Sequence, residues 1–140
     1  MPPAETGSAE QVYVAELAAD NAGETCAMVT GLTNDEAVSL RFNVRALPCF
    51  TVWRNSPAEA DGYVLGLEPG TNFPNPRSFE EEHGRVVRLK PGEQWTANVA
   101  VTWHADRGST APIQAAIDAI QHGAAPSLSP QPRDDWSAAS

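Results

Sequence analysis

Trp95-Thr-Ala-Asn-Val-Ala-Val-Thr-Trp-His104 puts Trp95, Ala97, Val99, Val101 and Trp103 on one parity and Thr96, Asn98, Ala100, Thr102 and His104 on the other. Successive side chains of a strand point to opposite faces, so this period of two predicts a strand with one face in a core. Shorter alternations run through Gln11 to Leu17, Thr25 to Val29, Ala37 to Phe42 and Phe50 to Trp53. Asp20-Asn-Ala-Gly23 and Gly31-Leu-Thr-Asn-Asp35 supply turns between them. Tyr63-Val-Leu-Gly-Leu67 is a continuous apolar run entered through Asp61-Gly62, and Arg85-Val-Val-Arg-Leu89 leads into the turn Lys90-Pro-Gly-Glu93. Short strands at this spacing predict an all-β fold, an antiparallel β-sandwich.

Two segments break the pattern. From Glu68 to Glu82, Pro69, Gly70, Pro74 and Pro76 argue against a regular strand or helix and predict a shaped polar loop at a strand end. From Pro112 to Gln121, Ile113, Ile117 and Ile120 recur at helical spacing, with Ser109 or Thr110 as cap and Gly123 as stop, which predicts one short helix. The residues after about Asp106 offer only that apolar face and add little to the core. The chain therefore divides into a flexible N-terminus at 1–9, a sandwich portion at 10–104, a short helix at 105–123 and a disordered tail at 124–140, which is rich in Pro, Ser and Ala.

Eighteen acidic residues against nine basic ones give the 140-residue chain a net charge of -9. The arginines are dispersed rather than gathered into a stripe, so nucleic acid is not an expected partner. No run is long enough to span a membrane, and Met1-Pro-Pro-Ala-Glu-Thr-Gly-Ser8 has neither the charge nor the apolar stretch of a secretory signal. Cys26 and Cys49 form no zinc or redox motif and are read as buried thiols in a reducing compartment, which points to the cytoplasm. Glu80-Glu-Glu-His83 has a Glu-x-x-His spacing, but metal sites of that kind need further carboxylates on facing helices, and the segment is read as a solvated acidic loop. No phosphate-binding fingerprint and no Gly-x-Ser-x-Gly are present, and no cofactor is expected.

Glu68 ends an apolar run and opens the irregular loop, which places a carboxylate at the rim of a sheet. Apolar neighbours raise a carboxylate's pKa and suit it to proton exchange near neutrality, whereas a strand-end glutamate facing water would have no such role.

The stretch Gly62-Tyr-Val-Leu-Gly-Leu-Glu-Pro-Gly-Thr-Asn-Phe-Pro-Asn-Pro-Arg77, preceded by Leu47-Pro-Cys-Phe-Thr-Val-Trp-Arg-Asn55, resembles the C-terminal signature of the aldose 1-epimerase family, with its galactose-mutarotase-like fold. Arg85-Val-Val-Arg-Leu-Lys-Pro-Gly-Glu93 and the alternating last strand extend the resemblance over about residues 10 to 104. What it implies is an isomerase that opens and recloses a sugar hemiacetal at the anomeric carbon, with a monosaccharide as partner. Glu68 matches the catalytic glutamate. Asn72 and Arg77 match loop positions, and Trp53 and Arg54 match an aromatic and a basic residue near the sugar. The resemblance departs at the family's acid histidine, which lies in an earlier strand not contained here; His83, His104 and His122 are read as exposed histidines. A truncated form lacking that acid is expected. Two alternatives stand beside it: a non-catalytic carbohydrate-binding module, and an inactive fragment that associates with another chain or with itself through open sheet edges.

Overall fold

The computed structural model describes residues 7–138 apart from 32, 34, 58, 59, 61 and 124. Positions 1–6 of the segment read as a flexible N-terminus, Asn34 and Leu32 of the second turn, Asp61, and positions 124, 139 and 140 of the tail lie outside the described residues.

Among the described residues, two three-stranded antiparallel sheets pack against each other. The first holds β1 (Gln11–Ala15), β4 (Cys49–Asn55) and β5 (Val64–Gly70), with β4 in the middle. The second holds β2 (Glu24–Thr30), β3 (Ala37–Asn43) and β6 (Val99–His104), with β3 in the middle. The described residues also form two helices, α1 (Arg77–Glu82) after β5 and α2 (Arg107–Gln121) after β6. The core forms where the central strands meet: Leu40 and Phe42 of β3 pack with Phe50 of β4 and with Leu47 from the connection between them. The rings of Phe42 and Phe50 stack at 5.8 Å and 10°. Val38, Val52 and Leu67 close around this cluster. The antiparallel sandwich with a C-terminal helix is thus the architecture that the alternating runs predict.

The alternation overreaches in two places. Arg85 to Leu89 forms no strand, and the last strand begins at Val99 rather than at Trp95. Its register pairs Phe42 with Val99, Leu40 with Val101 and Val38 with Trp103, so these three residues of β6 continue the core face of β3. Yet Val101 is 68% exposed and Trp103 67%. β6 is an edge strand, and its apolar row runs past the area that the first sheet covers.

The outer face of the second sheet is closed by α2, where Ile113, Ile117 and Ile120 are half-buried as their helical spacing predicts. This helix starts earlier than its proline suggested. Asp106 is the N-cap: its carboxylate accepts from the Ser109 amide at 2.8 Å while Ser109 Oγ accepts from the Asp106 amide at 3.3 Å, a reciprocal capping box. Pro112 therefore sits inside the helix, where the amide it lacks removes the bond that would have reached the carbonyl of the exposed Gly108. Beneath the first turn of α2, His104 is buried, with a ring nitrogen 2.8 Å from Ser39 Oγ. That corrects its reading as an exposed histidine. No helix among the described residues is long and apolar enough to cross a membrane.

Candidate functional site

β5 runs two residues past Glu68, through Pro69 and Gly70. A proline fits there because β5 is an edge strand, so its missing amide is not needed by a further strand. The expected break after Glu68 is thus delayed to Thr71. Register then decides which side chains share a face. Thr51 pairs with Glu68 and Trp53 with Gly66, and residues directly opposite each other on paired strands lie on one face. Phe50, Val52 and Leu67 take the other face, into the core. Glu68 and Trp53 therefore stand together on the side of the first sheet that faces away from the core.

Glycine at 66 shapes this side. A Cβ built there would stand 2.5 Å from Glu68 Oε1, so the carboxylate folds back over Gly66, toward the strand position opposite Trp53. Glu68 is exposed, which corrects the expectation of a carboxylate enclosed by apolar neighbours, and no protein group among the described residues hydrogen-bonds it. The indole nitrogen of Trp53 is buried and also without a partner among them. Beside Glu68 lies an open depression of about 180 Å³ lined by Thr51, Glu68, Pro69, Asn72, Phe73 and Pro74.

The remaining expected residues divide. Asn72 lines the depression, but its amide is turned into its own loop, donating to Phe73 O at 2.7 Å and accepting from Thr71 Oγ1 at 3.1 Å. Arg54 neighbours Trp53 in sequence and so points to the opposite face, where it donates to Gln11 Oε1 at 2.9 Å and Ser56 Oγ at 3.0 Å; it does not join Glu68. Arg77 is exposed at the start of α1 and does not line the depression.

What holds the loop was not legible. Glu80 is 1% exposed, inside α1, which replaces the solvated acidic loop expected there. Arg85 grips its carboxylate in bidentate fashion at 2.6 and 2.9 Å, Asn75 Nδ2 donates to it at 2.7 Å and the Phe73 amide at 3.1 Å. The Arg85 hydrogen bond holds the Glu80 carboxyl below its ordinary range, against the upward push of burial, and Glu80 in turn raises Arg85. The pair depends on the chain reversing at Gly84, with φ of 71°, so that the Arg85 amide meets Glu80 O at 2.8 Å. Gly84 and a five-residue separation are the only sequence marks of this clip. Phe73 carries the depression's wall at 1% exposure. The tail, expected to be disordered, has no helix or strand among its described residues, yet Trp136 packs on Phe73 with ring centroids 5.3 Å apart.

Other chemistries find no support at this site. Burial pushes the Cys49 thiol up to about 11 and raises Cys26 as well, so neither is an activated nucleophile. No cluster of three metal-ligating side chains occurs among the described residues. His83 bonds the Phe79 carbonyl of its own helix and His104 lies on the other sheet. Neither they nor His122 lines the depression.

A family profile described as a domain of unknown function, DUF4432, matches residues 1–103. No curated protein matches the chain. Among solved structures, a "putative aldose 1-epimerase" from Klebsiella pneumoniae subsp. pneumoniae MGH 78578 aligns over 85% of the chain at 31% identity with a TM-score of 0.81. The chain covers 31% of that longer protein.

Proposed function

Because the chain belongs to the DUF4432 family and shares its fold with the Klebsiella protein, we propose that the Glu68 depression is a monosaccharide site of the aldose 1-epimerase kind. The observation that carries this is the unpaired Glu68 carboxylate, folded over Gly66 on the Trp53 face beside an open depression. A carboxylate without a protein partner is available to accept a proton. In the step we assign to it, Glu68 takes the proton of the anomeric hydroxyl. The bond from the anomeric carbon to the ring oxygen breaks, its electron pair goes to that oxygen, and the oxygen gains a proton. The open aldehyde rotates, and the reverse sequence closes the ring on the other face. Trp53, on the same face as Glu68 but outside the lining of the depression, offers an apolar surface to the sugar, and Asn72 supports the wall. Two free buried thiols suit a reducing, cytoplasmic setting.

None of the histidines lines the depression, so protonation of the ring oxygen falls to water in the isolated chain. A positioned proton donor is worth about 10²- to 10⁴-fold in rate. The chain is therefore expected to bind galactose or glucose and to accelerate mutarotation weakly, as polarimetry and a sugar titration on one sample would show. Binding with no turnover would favour a carbohydrate-binding module. The absence of both would sink the proposal.

A second reading rests on the exposed row of β6. Two-thirds exposed Val101 and Trp103 on an edge strand, with no charged residue between Gln94 and Ala105, present both an open ladder and an apolar face. Self-association through this edge predicts a dimer that dissociates on dilution and is lost in Trp103→Lys. Sedimentation velocity showing a monomer at every concentration would dismiss it.

A further inference from the structure

We propose that the segment from Arg133 to Ala138 is a strap that sets the wall of the Glu68 depression, with Trp136 as a positioning residue for the sugar. The proposal deepens the sugar-site reading and rests on it for its binding consequence.

The wall is a loop with little of its own to fix it. Between Thr71 and Pro76 the one backbone hydrogen bond inside the loop runs from the Asn75 amide to Phe73 O, at 2.8 Å, and Pro74 and Pro76 have no amide to give. Its order comes from groups that clamp it. From below, Glu80 accepts the Phe73 amide. From the strap, the Trp136 ring packs on Phe73, and the Arg133 guanidinium stands 4.5 Å from the centroid of the Trp136 ring. Asn75 is the knot. Its Nδ2 donates both to Glu80 Oε1 at 2.7 Å and to Trp136 O at 3.0 Å, while its Oδ1 accepts from the Ala138 amide at 2.9 Å. One side chain thus joins the buried carboxylate, the wall and the strap. The strap lies beyond residue 103, where the family match ends, and it is tethered by residues 125–132, which form no helix or strand.

Such an arrangement separates binding from chemistry. Glu68 stands on β5, a strand hydrogen-bonded along its length to β4, whereas Phe73 depends on the strap for part of its packing. Segments held by few contacts open locally without unfolding the whole. Release of the strap therefore loosens the wall and leaves the proton acceptor in place.

The test uses the full chain and Trp136→Ala, with Trp136→Phe as the conservative rescue and Arg133→Ala as a milder variant should the first fold poorly. Amide hydrogen exchange is read at Phe73 in the wall and at Leu40 and Phe42 in the core, without sugar. Loss of one aromatic contact predicts about two- to tenfold lower protection at Phe73, unchanged protection in the core, and recovery in Trp136→Phe. Galactose titration should show a weaker Kd in Trp136→Ala, and, wherever turnover is measurable, a raised KM with kcat retained. Unchanged Phe73 protection overturns the proposal, as does a parallel loss in the core or lower protection with an unaltered galactose Kd. If the wild-type chain binds no galactose, the sugar-site reading fails, and the exchange measurement alone decides whether the strap sets the wall.

Discussion

Arg85→Ala should lower the stability of the folded chain by about 3–5 kcal/mol at neutral pH, the size of effect seen when one partner of a buried ion pair is removed. Glu80 would keep Asn75 and the Phe73 amide but lose both bonds to the guanidinium, in a site where its side chain is 1% exposed. The pH dependence gives the prediction its sign. In the wild type the Glu80 carboxyl is held below its ordinary value of 4.5, chiefly by the Arg85 hydrogen bond. A carboxyl lowered in the folded state contributes stability that is fully present above the unfolded pKa and is lost as pH falls through the lower folded value. Wild-type stability should therefore hold at neutral pH and decline in the acid range below 4.5. In Arg85→Ala, burial without a cation favours the neutral acid, so the variant's deficit should shrink on acidification. Urea melts of both proteins at about pH 7 and about pH 4 would measure this. A deficit that is small or independent of pH would mean that Arg85 is a surface ligand rather than the counter-ion of the clip.

Gly66→Ala should abolish whatever mutarotation the chain performs, as Glu68→Gln should, while leaving the fold intact. The added methyl would stand 2.5 Å from Glu68 Oε1 and 3.4 Å from its Cδ. Only the flexible end of a side chain is in the way, so the carboxylate swings aside and the strand persists. Replacing glycine by alanine also restricts the unfolded chain, which favours folding by about 0.4–1 kcal/mol where the backbone tolerates it. Loss of activity with equal or higher melting temperature is thus the expected signature. Glu68→Gln removes the proton acceptor at nearly constant size, for a loss of about 10²- to 10⁴-fold. Turnover that survives either substitution would detach Glu68 from the chemistry.

The sandwich was legible because alternation is a local signal and its strands are short. Period two located β2, β3 and β4 within a residue or two, and the spacing of Ile113, Ile117 and Ile120 found the buried face of α2. The same signal failed for Val99, Val101 and Trp103, since alternation marks a face and cannot say whether another sheet covers it. At the site, the resemblance to the aldose 1-epimerase family singled out Glu68 and Trp53, which register does bring to one face. Arg54 was lost to the same register, because adjacent residues of a strand cannot share a face. The Glu80 clip and the Trp136 strap were invisible for a different reason. They join positions 73, 75, 80, 85 and 136 through a helix, a glycine reversal and an irregular tail, and no periodicity links such points.

The two thiols also give the molecule a pair of natural clocks. Cys49 lies on the first sheet opposite Gly70, its sulfur 3.9 Å from the carbonyl of Thr71, while Cys26 lies on the second sheet opposite Arg41. Both are buried, so a thiol-modifying reagent reaches each only during an opening that uncovers it. Unequal modification rates at the two cysteines would time the breathing of one half of the sandwich against the other, without any engineered label.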